Sequence, residues 1–200
     1  MSNFKNIAVV ILAAGQSNRL GRPKQLVNYK GKSLLQHAID VVKDFNFAEK
    51  ILVLGANAEE IQQEINLSGF DLVKNNNWNE GISSSIKMGL EATLSRKADT
   101  ENIVFLLCDQ PFLAKANLEK LIENQLQNAP MATFSKYGEN IGVPAIFAQE
   151  SFSLLRNLKG DEGAKKLTFL PGFQYETVNF EKGDFDVDTE EDVEKLKELE

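Results

Sequence analysis

Residues 7–24 read Ile7-Ala8-Val9-Val10-Ile11-Leu12-Ala13-Ala14-Gly15-Gln16-Ser17-Asn18-Arg19-Leu20-Gly21-Arg22-Pro23-Lys24, and their order decides the fold. Ile7 to Leu12 is apolar without alternation and rich in branched side chains, the pattern of a central strand covered on both faces. Small residues follow at once, which lets backbone N–H groups come close to a ligand. Arg19, Arg22 and Lys24 then place three cations in a short loop. Amides to cradle and cations to neutralise suit a polyphosphate. A solvated turn with scattered charge is the plain alternative on composition alone.

Outward from this stretch the chain alternates strands and helices. Ser33 is placed to cap a helix whose apolar stripe is Leu34, Leu35, Ala38, Ile39, Val42 and Phe45. Ile51–Leu54 predicts a second strand. Asn57 with Glu60 predicts a helix start that turns Ile61 and Ile65 inward, and Leu72-Val73 a short third strand. Ile82–Leu94 reads as a helix, Ile103–Leu107 as a second buried strand, and Leu118, Leu121, Ile122 and Leu126 as the inner face of another helix. Strands are expected near 131–134, 143–147 and 175–178, short helices near 152–158 and 163–170, and a last helix starting at Thr189 with Asp192 as its capping partner. Alternation of this kind predicts a single α/β domain over residues 1–200, with three layers and a mostly parallel, Rossmann-like sheet. Ligands bind such sheets at the carboxyl ends of the strands, which points to the loops after Leu12 and after Leu107.

Composition narrows the partners. Lys and Arg number 22 against 29 Asp and Glu, a formal charge of −7, so no nucleic-acid partner is expected. The apolar run from Ile7 to Ala14 is far below the roughly 20 residues of a membrane span and lacks a cationic leader, so no membrane association or signal peptide is expected. With one cysteine, Cys108, and one histidine, His37, neither an internal disulfide nor a Cys/His zinc site can be assembled. A reducing, cytoplasmic location fits. Cys108 reads as a core residue, and His37 as a surface or packing residue beside the first helix's apolar stripe.

Two familiar phosphate loops fail. Gly15 is followed by Ser17 and Leu20 where a dinucleotide fingerprint needs glycines, and Gly31-Lys32-Ser33 lacks the earlier glycine and leading strand of a Walker loop. Asp109 is the second locus: a carboxylate just past a buried strand, near a phosphate loop, is what Mg²⁺ on nucleotide phosphates needs. Asp186 and Asp188 offer further carboxylates before the last helix, although Asp and Thr are also ordinary helix-start residues. The third locus is Asn79-Glu80-Gly81-Ile82-Ser83-Ser84-Ser85, where glycine and three serines at a helix start supply more donors for a base or ribose than one cap requires.

These stretches together resemble a known family. The first loop, then Asn79–Ser85, Cys108-Asp109-Gln110-Pro111, Gly142–Phe147, Leu158–Ala164 and Asp186–Asp192 occur in the order seen in molybdopterin-nucleotidyltransferase-like proteins, and are most similar to the molybdenum cofactor cytidylyltransferase branch. The resemblance implies a nucleotidyltransferase fold and transfer of CMP from CTP to the terminal phosphate of a molybdopterin cofactor. It implies that Ala13, Ala14 and Gly15 lie against base and ribose, that Arg19 and Lys24 hold the triphosphate, and that Ser83 and Ser84 help bind the nucleoside. Asp109 and Asp188 would hold Mg²⁺, with Asp186 the alternative to Asp188. Lys24, Arg19 and Asp109 would be the catalytic set. Ala14 is the mark of CTP rather than GTP in this family, and the Gly160–Ala164 segment would face the acceptor. Val143 stands where the family often has His. A molybdoenzyme would receive the product. Transfer to a sugar phosphate or another phosphorylated alcohol is the alternative, as is a non-catalytic nucleotide-binding accessory in cofactor insertion.

Overall fold

A computed structural model describes residues 3–199. Seven strands, β1 (Ile7–Ala13), β2 (Lys50–Leu54), β3 (Asp71–Lys74), β4 (Asn102–Leu107), β5 (Ala132–Tyr137), β6 (Asn140–Ala148) and β7 (Tyr175–Asn179), form one sheet in the order β3-β2-β1-β4-β6-β5-β7. Every pairing is parallel except those of β6, which runs antiparallel to β4 and β5. β1 lies centrally, Val10 pairing with Ile51 on one side and Phe105 on the other.

The unbroken apolar run of β1 is explained by what covers it. Val9 and Ile11 join Leu35, Ile39, Val42, Leu118 and Leu121 on one face. Val10 and Leu12 join Ile86, Leu90, Phe105, Phe134 and Phe147 on the other. Successive strand residues point to opposite faces, so a strand between two helical layers must be apolar at every position. The layers are helices α1 (Leu34–Val42), α2 (Ala58–Glu64), α3 (Ile82–Arg96), α4 (Lys115–Asn128), α5 (Phe152–Arg156) and α6 (Glu190–Lys197), with α1 and α4 on the first face and α3 and α5 on the second. Gly89 lets α3 approach the sheet: a Cβ there would lie 2.5 Å from Val10 Cγ1.

The expected three-layer, mostly parallel architecture is therefore present. Ser33 caps α1 by accepting from the Gln36 N–H, and Thr189 and Asp192 close a reciprocal box at the start of α6. Elsewhere the details differ. Asn57 makes no side-chain cap and takes a left-handed φ of 55°, and Ile65 lies past the end of α2, half-buried. Leu126 is 55% exposed, because α4 turns that position away from the sheet. The helix expected at 163–170 is a 3₁₀ segment, Ala164–Phe169.

Topology fixes where a ligand can sit. The chain leaves β1 toward β2 and later returns to β4 on β1's other side, opening a crevice at the carboxyl ends of β1 and β4. Reversal at β6 brings the carboxyl end of β5, at Tyr137, to that same edge. A smaller core of Leu20, Val27, Tyr29, Leu34, Val187, Val193 and Leu196 packs α6 and the residues before it against the first loop. Residues near 186–190 thereby reach a loop some 170 positions earlier.

Candidate functional site

The loop after β1 is held by local hydrogen bonds. Ser17 adopts a positive φ of 60°, and its carbonyl accepts from the N–H groups of Leu20 (3.1 Å) and Gly21 (3.0 Å). The Ser17 hydroxyl accepts from the Lys24 N–H at 3.1 Å. Gln25, 1% exposed, donates its side-chain amide to the carbonyls of Ala13 (2.8 Å) and Gly15 (3.0 Å). That amide closes the loop into a ring. Sequence reasoning missed Gln25, because an uncharged side chain following Lys24 carries no compositional signal. Of the three small residues expected against base and ribose, Ala13 packs its side chain into the core and is absent from the cleft lining, while Ala14 and Gly15 line the open cleft above.

Asp109 follows the end of β4, and its carbonyl accepts from the Val187 N–H at 3.1 Å, fixing the 186–188 segment beside it. The charged side chains meet here. Lys24 Nζ lies 2.5 Å from Asp109 Oδ2 and 2.7 Å from Asp188 Oδ1. Arg19 Nη2 lies 2.7 Å from Asp188 Oδ2. Arg22, the third cation of the loop, turns away and pairs with Glu190 at 2.9 Å. The fold thus unites Arg19, Lys24, Asp109 and Asp188.

A cleft of about 480 Å³ opens over this cluster. Arg19, Lys24 and Asp109 lie in its lining, as do Trp78, Asn79, Gly81, Ser85 and Asp161. Gly81 takes φ 95°, and a Cβ there would lie 2.4 Å from the Gly160 backbone and 2.6 Å from Asp161 Oδ1. The Ser83 N–H donates to the Gly160 carbonyl at 3.1 Å, so the 160–161 segment is seated on the start of α3. Of the three serines, Ser85 lines the cleft, whereas Ser83 and Ser84 line a neighbouring groove. Ser84 donates to the Gly81 carbonyl at 2.8 Å. Buried Asn75, unremarkable in the sequence, donates to the hydroxyls of Ser84 (2.8 Å) and Ser85 (3.0 Å) and so sets this turn.

Burial alone would lower the Lys24 pKa; the Asp109 carboxylate and the hydrogen bonds to Asp109 and Asp188 reverse this and hold it raised. Lys24 is therefore a fixed cation. Burial, aided by the Asp109 charge, pushes the Cys108 thiol up to about 12, which leaves it a neutral wall residue. Crowding that strips part of its hydration, with the Asp109 charge next, pushes the Asp186 carboxyl up to about 7. Asp186 keeps one side open to solvent.

Asp109 Oδ1 is buried with no hydrogen-bond partner among the described residues. An orphaned carboxylate oxygen is costly unless something binds it. No cluster of three or more His, Cys, Asp or Glu side chains suited to a metal occurs among the described residues. The available donor set is carboxylate oxygens in pairs. This matches a cation that takes one or two carboxylates and completes its shell with phosphate and water, as Mg²⁺ does.

Residues 9–177 match the family described as the MobA-like NTP transferase domain. The chain is 37% identical over 115 residues to nicotine blue oxidoreductase of Paenarthrobacter nicotinovorans, spanning 56% of this chain and 54% of that protein. The chain thus matches about half of that relative's length. The crystal structure of Rv0371c from Mycobacterium tuberculosis H37Rv is 32% identical, with a TM-score of 0.82 covering 96% of this chain and 98% of that one. A structure of Rv0371c in complex with manganese is 30% identical, with a TM-score of 0.79 over 96% and 98% of the two chains. Among the described residues, no helix is long and apolar enough to cross a membrane.

Proposed function

We propose, from the premise that this chain belongs to the MobA-like NTP transferase domain family, that it transfers CMP from CTP to the terminal phosphate of a molybdopterin-type acceptor. The carrying observation is the meeting of Arg19, Lys24, Asp109 and Asp188 at the carboxyl ends of β1 and β4. Two cations and two carboxylates on a rigid edge suit a reaction that needs positioning and charge neutralisation more than a protein nucleophile.

In this reading an oxygen of the acceptor phosphate attacks the α-phosphorus of CTP in line. One P–O bond forms, the bond to the β-phosphate breaks, and pyrophosphate leaves. Lys24 and Arg19 exchange their carboxylate partners for triphosphate oxygens and neutralise the charge that develops there. Ala14 and Gly15 present small side chains and backbone to the nucleoside, with Ser85 at the far wall. Asp109 and Asp188 would hold the divalent cation, and the orphaned Asp109 oxygen supports that role. When bound, Mg²⁺ supplies Lewis-acid polarisation of the phosphate oxygens; the manganese complex of the Rv0371c relative agrees with a divalent ion here. The choice of CTP rests on Ala14. The product would pass to a molybdoenzyme, and the reaction belongs in the cytoplasm.

The test is pyrophosphate release with Mg²⁺ and molybdenum-loaded molybdopterin, comparing CTP, GTP and ATP. CTP should exceed the others by at least tenfold. Release only with sugar phosphates or other phosphorylated alcohols moves the acceptor assignment. Tight CTP binding with no pyrophosphate from any acceptor overturns transfer in favour of a binding accessory.

A further inference from the structure

A second hollow, of about 200 Å³, adjoins the nucleotide cleft and shares Leu12, Ile82 and Leu107 with it. Its walls are otherwise apolar, built from side chains such as Ile86, Phe105 and Phe134. Tyr137 and Lys165 are its only polar side chains. Tyr137 ends β5, on the same sheet edge as the ends of β1 and β4. Two glycines make room for its ring: a Cβ at Gly183 would lie 2.6 Å from Tyr137 Cδ1, and one at Gly142 would lie within 2 Å of the phenol oxygen. The half-buried hydroxyl makes no hydrogen bond among the described residues. A donor placed so, at the mouth of an apolar chamber, is open to a ligand's acceptor atom.

We propose that Tyr137 binds and orients the acceptor: the face of the acceptor's flat ring system lies against the chamber's apolar walls, its polar edge stays toward the open cleft, and its terminal phosphate accepts a hydrogen bond from the Tyr137 hydroxyl. The inference rests on the transferase reading and adds to it a residue and a shape for the acceptor half. Burial, with the charges of Asp186, Asp109 and Asp184, pushes the phenol up to about 12. The hydroxyl therefore stays protonated at neutral pH and donates. Its place at the end of β5 puts it on the sheet edge that also carries Asp109, just past β4. Apolar walls disfavour a polyhydroxylated sugar, whose hydroxyls would lose hydration without finding partners. Lys165, exposed and in no ion pair among the described residues, adds a cation at the rim.

The probe is 1-naphthyl phosphate, an apolar ring system carrying a phosphate, titrated into the full chain by calorimetry. Wild type should bind it, Tyr137→Phe at least fivefold more weakly. Trp78, the single tryptophan and a cleft-wall residue, should report unchanged CTP binding in the variant. Gly142→Ala, which drives a methyl group into the phenol oxygen, should reproduce the Tyr137→Phe loss, and the double variant should add nothing. In turnover Tyr137→Phe should raise the acceptor KM and leave the CTP KM alone. No binding of the probe to wild type, or equal binding to Tyr137→Phe, overturns the proposal. Failure of the transferase reading is seen separately, as absence of pyrophosphate release in wild type.

Discussion

Between β1 and its neighbours β2 and β4 the register runs without a slip from Ile7 to Ala13, whereas β6 shifts register against β5 between Gly142 and Ala145. The first half of the sheet is parallel and fully buried along β1. The second half contains the antiparallel strand, a 3₁₀ segment and the exposed Phe169, at 78%. The charged cluster draws Arg19, Lys24 and Asp109 from the regular half and Asp188 from the tail, and the apolar chamber draws Tyr137, Gly142 and Lys165 from the irregular half. On the proposed function, chemistry common to any nucleotide would sit mostly on the regular half. Acceptor choice, on the same proposal, would sit where loops and bulges can be altered at little cost to the core.

The sharpest way to break that division is to remove charge from the regular half. Lys24→Met and Asp109→Asn should each lower turnover by roughly 100–1,000-fold with unchanged circular dichroism. Wild-type-like pyrophosphate release in either would place the chemistry elsewhere. Stability should divide in the same way. Ile11→Ala, at a fully buried site, should cost about 3 kcal/mol in urea unfolding, and half-buried Ile141→Ala about 1 kcal/mol. Equal costs would mean the second half is as tightly packed as the first.

A subtler contrast lies inside the charged cluster. The Lys24 ammonium stands between Asp109 and Asp188, so on the proposed metal site it would compete with a divalent cation for them. Lys24→Met should therefore tighten nucleotide-free Mn²⁺ binding about tenfold, the equivalent of about 1.4 kcal/mol, as read by electron paramagnetic resonance. Weaker Mn²⁺ binding in the variant would show that Lys24 does not occupy the ion's place. Smallest of all, Thr189→Ala removes the α6 cap that follows Asp188 and should cost about 1 kcal/mol, with a modest rise in the Mg²⁺ concentration needed for half-maximal rate.

Much of the regular half was legible because its physics is local. A strand buried on both faces must be apolar throughout, and Ile7–Leu12 is; Ser33 and Thr189–Asp192 carry their caps within a few residues. The site was legible as far as charge and glycine betray it, so Arg19, Lys24, Asp109 and Asp188 could be named before their contacts were known. Uncharged residues acting through hydrogen bonds leave no such trace. Gln25 and Asn75 shape the two turns of the cleft, and neither drew notice. Ser83, Ser84 and Ser85 look equivalent in sequence, and only the helical rotation of α3 turns Ser85 to the cleft. Leu126 belonged to an apolar stripe by spacing, and its exposure depends on how α4 is turned against the sheet. Tyr137 gave no sign, since its setting depends on Gly142 and Gly183, brought together by the return of β6 and the tail.

The contact of Gly81 with Gly160 bears on how such a chain can diversify. Backbone meets backbone there, with the Asp161 carboxylate alongside, so little can be trimmed or repacked to admit a Cβ. The surface around the exposed Phe169 has room to change, but a residue with a Cβ at position 81 would pry the 160–161 segment from the start of α3. Lineages that change acceptor are thus expected to vary the segment after Gly163 while keeping this seam closed, a pattern that comparing loop lengths across relatives can check.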